Sequence, residues 1–385
     1  MAAARPARGR TRHATLMLCL AFGLGNAGMT SQAVWVASAI HARVLPTYSI
    51  GLVASIELLL LALSTLVVGR IANRISPKPA IVGASLAAAL ANVLAMAPLA
   101  GAFVAGRLAS GVAMGVLLAM VTTASARRPD AQRILTFMQG SVLIIAVAIF
   151  ATSPYVAADG PGGVFAVLAG LAGVTAAVAM LAPRTDATPP PVEPAQQRSG
   201  LPALNLAPLA ACAGLASIAA GAAMIGTFFL VIADGLGFGR AATAQLLAAI
   251  FPLSLAGPVI SHFLGERLGL VMPIVLGMAA MVLAIFFLVR APDLVAFGTA
   301  LAALCSLVMF YPPYAIALIG RLDSSGQWAS AAVAFMMIGG AFGPGLGSGF
   351  VQSKDYAAMA TTAIVLVIVG AGILITAAAA GRSRT

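Results

Sequence analysis

About a dozen apolar stretches, each long enough to cross a bilayer, follow one another along this chain, and no water-soluble fold can hide that much apolar surface. A spanning helix needs about 20 apolar residues at a rise of about 1.5 Å each. That measure predicts spans at 14–39, 49–69, 79–99, 102–124, 134–156, 161–182, 205–232, 240–262, 271–289, 294–319, 327–350 and 356–380, twelve in all. Of the 385 residues, 61 % are apolar and only 8 % charged, against roughly 25 % charged in soluble domains. The mean hydropathy of +1.06 is spread along the chain and not confined to one anchor, so membrane lipid is its solvent.

A net charge of +11 suggests a nucleic-acid partner only until the charges are placed. They stand between the apolar runs, so no nucleic acid is expected. Cys19, Cys212 and Cys305 lie far apart within apolar runs and read as small hydrophobes, neither a disulfide framework nor a metal pair. Arg5, Arg8, Arg10 and Arg12 precede the first run as the basic region of a signal peptide would, but the run continues for 26 residues. A signal's apolar region is about 7–15 residues long, so no cleavage is expected.

The longest polar interruption, residues 183–203, reads P-R-T-D-A-T-P-P-P-V-E-P-A-Q-Q-R-S-G-L-P-A and suits an extended linker. It leaves six spans on each side. The expected organisation is an N-terminal six-helix bundle over 1–182, a cytoplasmic linker over 183–203 and a C-terminal six-helix bundle over 204–385. Parallel six-helix repeats are a known way to build a transporter with its site at their interface. With the N-terminus in the cytoplasm, sixteen Lys and Arg fall inside and only Arg43, Arg240, Arg290 and Lys354 outside; Arg107 is within a span. That asymmetry predicts both termini cytoplasmic, in the plasma membrane of a bacterium, its inner membrane.

Two ionisable residues stand inside the spans, Glu57 in the second and Arg107 in the fourth. Such groups are expensive in hydrocarbon and mark a substrate or ion path. Counted from the same face at about 1.5 Å per residue, they reach similar depth, so a pair is geometrically possible. Burial favours the neutral acid at Glu57 and a nearby guanidinium favours the carboxylate. Competition between those settings is what a proton carrier needs, and a permanently ionised structural pair is the alternative. Arg107 has its own alternative, snorkelling toward the outer interface.

Between the second and third spans stands G-R-I-A-N-R-I-S-P-K, residues 69–78, and between the eighth and ninth H-F-L-G-E-R-L-G, residues 262–269. The pairs Asn73-Arg74 and Glu266-Arg267 lie 193 residues apart, close to the spacing of the halves. These loops resemble the signature loop of the major facilitator superfamily, with Gly69, Arg74 and Lys78 matching in the first and Glu266, Arg267 and Gly269 in the second. Asn73 stands where an aspartate is usual and Ser76 where a glycine is usual. The fourth-span run G-R-L-A-S-G-V-A-M-G, residues 106–115, is similar to the family motif with an intramembrane arginine followed four residues later by glycine, here Arg107 and Gly111. In the eleventh span G-G-A-F-G-P-G-L-G-S-G, residues 339–349, has the Gly-Pro spacing of the family's antiporter motif, which belongs in the fifth helix.

The resemblance implies an all-helical integral membrane fold of twelve transmembrane helices in two pseudo-symmetric six-helix bundles, working by alternating access. It implies proton coupling through Glu57 and Arg107, and conformational gating by Gly69, Asn73, Arg74, Lys78, Gly111, Glu266, Arg267, Gly343 and Pro344. Small residues permit close helix approach and Pro344 a bend, so gating and plain tight packing both suit the glycine run.

Polar residues within spans supply candidates for a substrate cavity. Gln32 and Trp35 are three apart and share a face with Gly25 and Gly28. Gln139, Gln245, Tyr311 and Tyr314 are further candidates, with helix-to-helix hydrogen bonding or interfacial anchoring as their other reading. The G-x-G-x-x-G at Gly23, Gly25 and Gly28 follows no strand and carries no dinucleotide reading, and no P-loop is present to supply ATP drive. No catalytic constellation, cofactor or metal site is expected. The expected partners are a small-molecule substrate, protons and membrane lipid, with the chain a monomer. Few charges in the cavity favour efflux of a drug-like compound or metabolite. Uptake of a sugar or small organic acid by proton symport is the alternative, and a non-transporting receptor or scaffold a third.

Overall fold

The computed structural model describes residues 8–126, 128, 130–158, 160–182, 205–322 and 327–382. The expected linker 183–203 lies outside the described residues, as does the side chain of Asn73. Backbone amides in hydrocarbon have no water to bond, so apolar runs of this length satisfy them internally as helices. The helices are α1 (Arg8–His41), α2 (Thr47–Ile71), α3 (Pro77–Ala95), α4 (Ala100–Ala126), α5 (Ala131–Val156), α6 (Gly162–Leu181), α7 (Leu206–Gly235), α8 (Arg240–Ile250), α9 (Ala256–Leu264), α10 (Val271–Leu288), α11 (Leu294–Phe310), α12 (Pro312–Arg321), α13 (Gln327–Ser353) and α14 (Tyr356–Arg382). Among the described residues they make twelve segments long and apolar enough to cross a membrane.

Two of the twelve are not continuous. The eighth, expected as one helix, is α8 and α9 joined by a 3-10 turn over Phe251–Leu255, and the tenth breaks at Tyr311 between α11 and α12. Proline explains both. Pro252 and the pair Pro312-Pro313 have no N–H to donate, so the helical ladder is interrupted where they stand. Pro154, two residues before the end of α5, leaves that helix continuous to Val156. Helix starts are capped by side chains where the sequence supplies them: Asn205 accepts from Ala207 N at 3.3 Å, Asp293 from Ala296 N at 2.8 Å and Asp355 from Ala358 N at 2.9 Å.

The chain forms two compact units. One comprises Met1–Ser31, Leu60–Ile149 and Pro161–Gly200. Its core joins Leu18 and Leu24 of α1, Ile81 and Ala88 of α3, Leu117 and Met120 of α4, Met138 of α5 and Ala172 and Ala179 of α6. The other comprises Gln32–Leu59, Phe150–Gly160 and Leu201–Thr385, so the later part of α1, the start of α2 and the end of α5 pack with the C-terminal helices. Its centre is α7. There Gly214 and Gly370 face each other so closely that a Cβ on either would lie 2.5 Å from the other's carbonyl oxygen, and only small residues permit that approach to α14. Leu90, Ile144, Phe263 and Val295 all point outward, a burial pattern suited to lipid and not to water.

Candidate transport site and gate

Arg107 lies two turns into α4 and is completely buried, at 0 % exposure. Its Nη1 donates to Asn92 Oδ1 on α3 at 3.0 Å, and its guanidinium carbon stands 4.9 Å from the ring centroid of Phe165 on α6. Asn92 in turn donates from Nδ2 to the Ala88 carbonyl at 2.8 Å, which fixes its oxygen toward the guanidinium. The site is reached because Gly106 precedes it: a Cβ there would sit 2.5 Å from the Ala91 carbonyl oxygen, so α4 lies directly on α3 where Asn92 stands. Gly115 repeats the device against α2, where a Cβ would meet Leu61 O at 2.4 Å and where Thr65 donates to the Gly115 carbonyl at 3.1 Å. Arg107 is therefore held by protein on α3 and α6 and does not reach for the interface. Gly111, one turn on, is buried.

Glu57 is also buried, at 2 % exposure. It belongs to the stripe Ile50, Val53, Ala54, Glu57 and Leu61 along one face of α2, while Leu52, Ile56, Leu63 and Val67 on the other face point outward. The carboxyl group is thus on the protein side of its helix.

Three contacts in the second unit tie the N-terminal helices to C-terminal ones. Gln32 of α1 donates from Nε2 to the Ala54 carbonyl at 3.3 Å and accepts at Oε1 from Thr227 of α7 at 3.1 Å. Ser55 of α2 accepts from the Gly345 N–H of α13 at 2.7 Å. Gly51, one turn before Ser55, lies so near α13 that a Cβ would meet that of Ser348 at 2.3 Å and the Pro344 carbonyl oxygen at 2.8 Å. Trp35, one turn beyond Gln32, is wholly buried.

The profile of the Major Facilitator Superfamily matches residues 14–344, most of the chain. The chain belongs to the major facilitator superfamily. Solved structures similar to this superfamily member include a mutant of the nucleoside transporter NupG, at 15 % identity and TM-score 0.73, covering 96 % of this chain and 99 % of that one. The xylose transporter XylE from E. coli in an inward-open conformation has 12 % identity and TM-score 0.68, covering 94 % of each chain. The peptide transporter POT in complex with alafosfalin has 12 % identity and TM-score 0.72, covering 96 % of this chain and 95 % of that one. At such identities the likeness is one of fold alone. No curated protein matches the chain in sequence. Membership makes the protein a multi-pass membrane transporter. Among the described residues no group of three His, Cys, Asp or Glu side chains converges to hold a metal ion.

The superfamily's signature loop falls on the 3-10 turn Ala72–Arg74. Gly69 and Arg74 are exposed. Lys78 is engaged: its Nζ donates to the Met180 carbonyl at 2.8 Å and also to the Ala182 carbonyl, capping the C-terminal end of α6. In the second half Glu266 accepts from Arg321 of α12 at 2.6 Å, while Arg267 is exposed. The glycine that ends this motif, Gly269, has φ +70°, a left-handed conformation that glycine adopts without strain.

The glycine run of α13 packs along α7, where a Cβ on Gly339 would meet the Ala216 carbonyl oxygen at 2.1 Å and one on Gly343 the Met224 nitrogen at 2.6 Å. Pro344 lies inside α13. Gln139 and Gln245 are exposed, on α5 and α8. Tyr311 is buried at the break of the tenth span, and Tyr314 donates from its hydroxyl to the Ser261 carbonyl of α9 at 3.1 Å, tying the tenth span to the eighth. Sequence reasoning did not select Asn92, Phe165, Ser55 or Thr227. Asn92 alone carried a usable signal, an amide in the middle of an apolar run.

Proposed function

We propose that this transporter is a proton-coupled exporter of a small neutral, lipophilic or cationic solute, working as a monomer in a bacterial inner membrane with both termini cytoplasmic. The observation that carries the reading is the burial of Glu57 and Arg107, at 2 % and 0 %, in a chain of which only 8 % is charged. Membrane-embedded charges cost several kcal/mol and are kept where they move something. Glu57 is the group that takes and gives the proton. Arg107, held by Asn92 and Phe165, supplies the standing positive charge of the coupling, which works by movement of the helices.

Alternating access supplies that movement. The contacts Gln32–Thr227, Ser55–Gly345 and Gly51–Ser348 seal the end of the molecule at the α1–α2 turn, the periplasmic end in the proposed orientation. Each is a single hydrogen bond or close backbone approach, worth about 1 kcal/mol or less, so the seal can part without disrupting a core. Opening it exposes the site to one side, and closing it exposes the site to the other.

The test is Glu57→Gln, which keeps the shape and cannot ionise. Ethidium is followed in everted membrane vesicles energised by a proton gradient, with dye exchange at equilibrium followed in parallel. Gradient-driven accumulation is expected to vanish while exchange persists. Undiminished driven accumulation removes Glu57 from the mechanism. Accumulation in right-side-out vesicles alone would make the protein an importer.

A further inference from the structure

A cavity of about 240 Å3 opens in the second unit at the ends of α1, α5 and α7 and the start of α8, and no step of the proposed transport uses it. Ser38, Ser153, Pro154, Leu230, Asp234 and Arg240 line it, with small alanine side chains between them.

Its polar groups form an unusual set. The Ser38 hydroxyl donates to the Val34 carbonyl at 2.9 Å, and the Ser153 hydroxyl donates at 2.9 Å to the Phe150 carbonyl, whose helical partner would have been the N–H that Pro154 lacks. Both protons are committed, so each oxygen is left as an acceptor. Asp234 and Arg240 flank the α7–α8 turn, where Gly237 and Gly239 hold positive φ of +86° and +74°. Their closest approach is 3.9 Å, Arg240 Nε to Asp234 Oδ2, beyond hydrogen-bond length. They form a loose ion pair whose side chains are 28 % and 48 % exposed, so both keep hydrogen-bonding capacity for a ligand. One turn deeper along α5, Phe150 packs on Phe229 at 6.2 Å and Phe251 at 5.4 Å between ring centroids, an apolar plug beneath the cavity.

Three acceptors and one guanidinium therefore share one small volume. We infer that this cavity binds a small zwitterion of the α-amino acid type, its ammonium on Ser38, Ser153 and Asp234 and its carboxylate on Arg240. An ammonium has three N–H donors for the three acceptors, and a carboxylate matches the planar fork of arginine. A simple amine leaves the guanidinium unused, and a simple acid leaves the three acceptors unused. The alanine walls leave room for a short aliphatic side chain only. The site goes beyond the proposed export, since it requires no flux and lies outside the Glu57 and Arg107 machinery.

The probe is L-alanine, titrated into the full-length protein in lipid nanodiscs and read by saturation-transfer NMR. Saturable binding is expected. Glycine betaine, which has no N–H, isopropylamine and propionate are each expected to bind roughly tenfold or more weakly. Asp234→Asn and Arg240→Gln should weaken L-alanine by a similar factor, and Ala157→Leu, on the cavity wall, should abolish binding with the melting temperature unchanged. Absence of saturable L-alanine binding to the unaltered protein overturns the inference, as does equal affinity for betaine or equal affinity in the two charge variants. Binding is read without transport. Failure here leaves Glu57-dependent export standing, and failure of that export leaves this site standing.

Discussion

The fourth span and its counterpart in the second half, the tenth, solve the membrane in opposite ways. Helix α4 is unbroken and carries a buried arginine, pinned by Asn92 and Phe165 and seated by Gly106 and Gly115. The tenth span carries no charge in its interior and is broken at Tyr311 by two prolines. The repeat spacing of 193 residues brings Arg107 onto Ala300 and Glu57 onto Ile250, the last residue of α8 before its 3-10 turn. Where the first half has ionisable groups on continuous helices, the second has apolar residues on interrupted ones. Charge needs a rigid frame, because a buried guanidinium tolerates no loss of its partners. Helix breaks need neutral surroundings that can shift. On the proposed reading, the first half carries the chemistry and the second half yields.

Removing the charge breaks that division most severely. Arg107→Met keeps apolar bulk and deletes the guanidinium, and gradient-driven ethidium accumulation is expected to fall below roughly a tenth of the unaltered rate. Arg107→Lys should not restore it, because an ammonium cannot hold Asn92 and stack on Phe165 together. Asn92→Ala leaves a buried N–H without its acceptor, at about 1–3 kcal/mol, and should lower the melting temperature as well as the rate. Full activity in both Arg107 variants would return the arginine to a purely structural role.

Packing comes next. Gly106→Leu drives a side chain into the Ala91 carbonyl and is expected to cost about 1–3 kcal/mol or more, read as a fall in melting temperature in detergent. Gly140→Ala, where no atom lies within 4 Å of the added Cβ, is the matched control and should be neutral or slightly stabilising. A smaller effect is expected in the other half. Pro312→Ala restores one backbone N–H to the break, and should leave the melting temperature unchanged or raised while slowing transport. Faster transport in that variant would deny the break its part in conformational change.

The spans were legible because hydrophobic length is a local property, and the fold followed from twelve of them with repeated loops. The breaks of the eighth and tenth spans were less so. Pro252 and Pro312 were visible, but Pro154 is just as visible and α5 runs past it, and Pro344 lies inside α13. What decides is whether a neighbour accepts the distortion: Ser306 donates to the Leu253 carbonyl at 2.8 Å and Tyr314 to that of Ser261, both on the eighth span from the tenth. Such partners lie 53 residues away in sequence, and no local pattern names them. Glu57 and Arg107 were conspicuous by cost. Phe165 was not, because an aromatic is an ordinary residue until the helix that faces it is known, and Asn92, an amide in an apolar run, named no partner by itself.

The signature loops give the finest contrast. Lys78 in the first half caps two carbonyls at the end of α6, contacts made by a full charge on a helix terminus. Glu266 in the second half pairs with Arg321 across the surface, with side chains 62 % and 59 % exposed. Water screens that pair, so Glu266→Gln should cost about 0–1 kcal/mol, at the lower edge of what thermal unfolding resolves. Lys78→Met should cost more, since it leaves α6 carbonyls without their donor. The two loops occupy equivalent places in the repeat, yet one is expected to hold its unit together and the other to be released at almost no cost when α12 moves. A larger melting-temperature loss for Glu266→Gln than for Lys78→Met would reverse that assignment and place the structural latch in the second half.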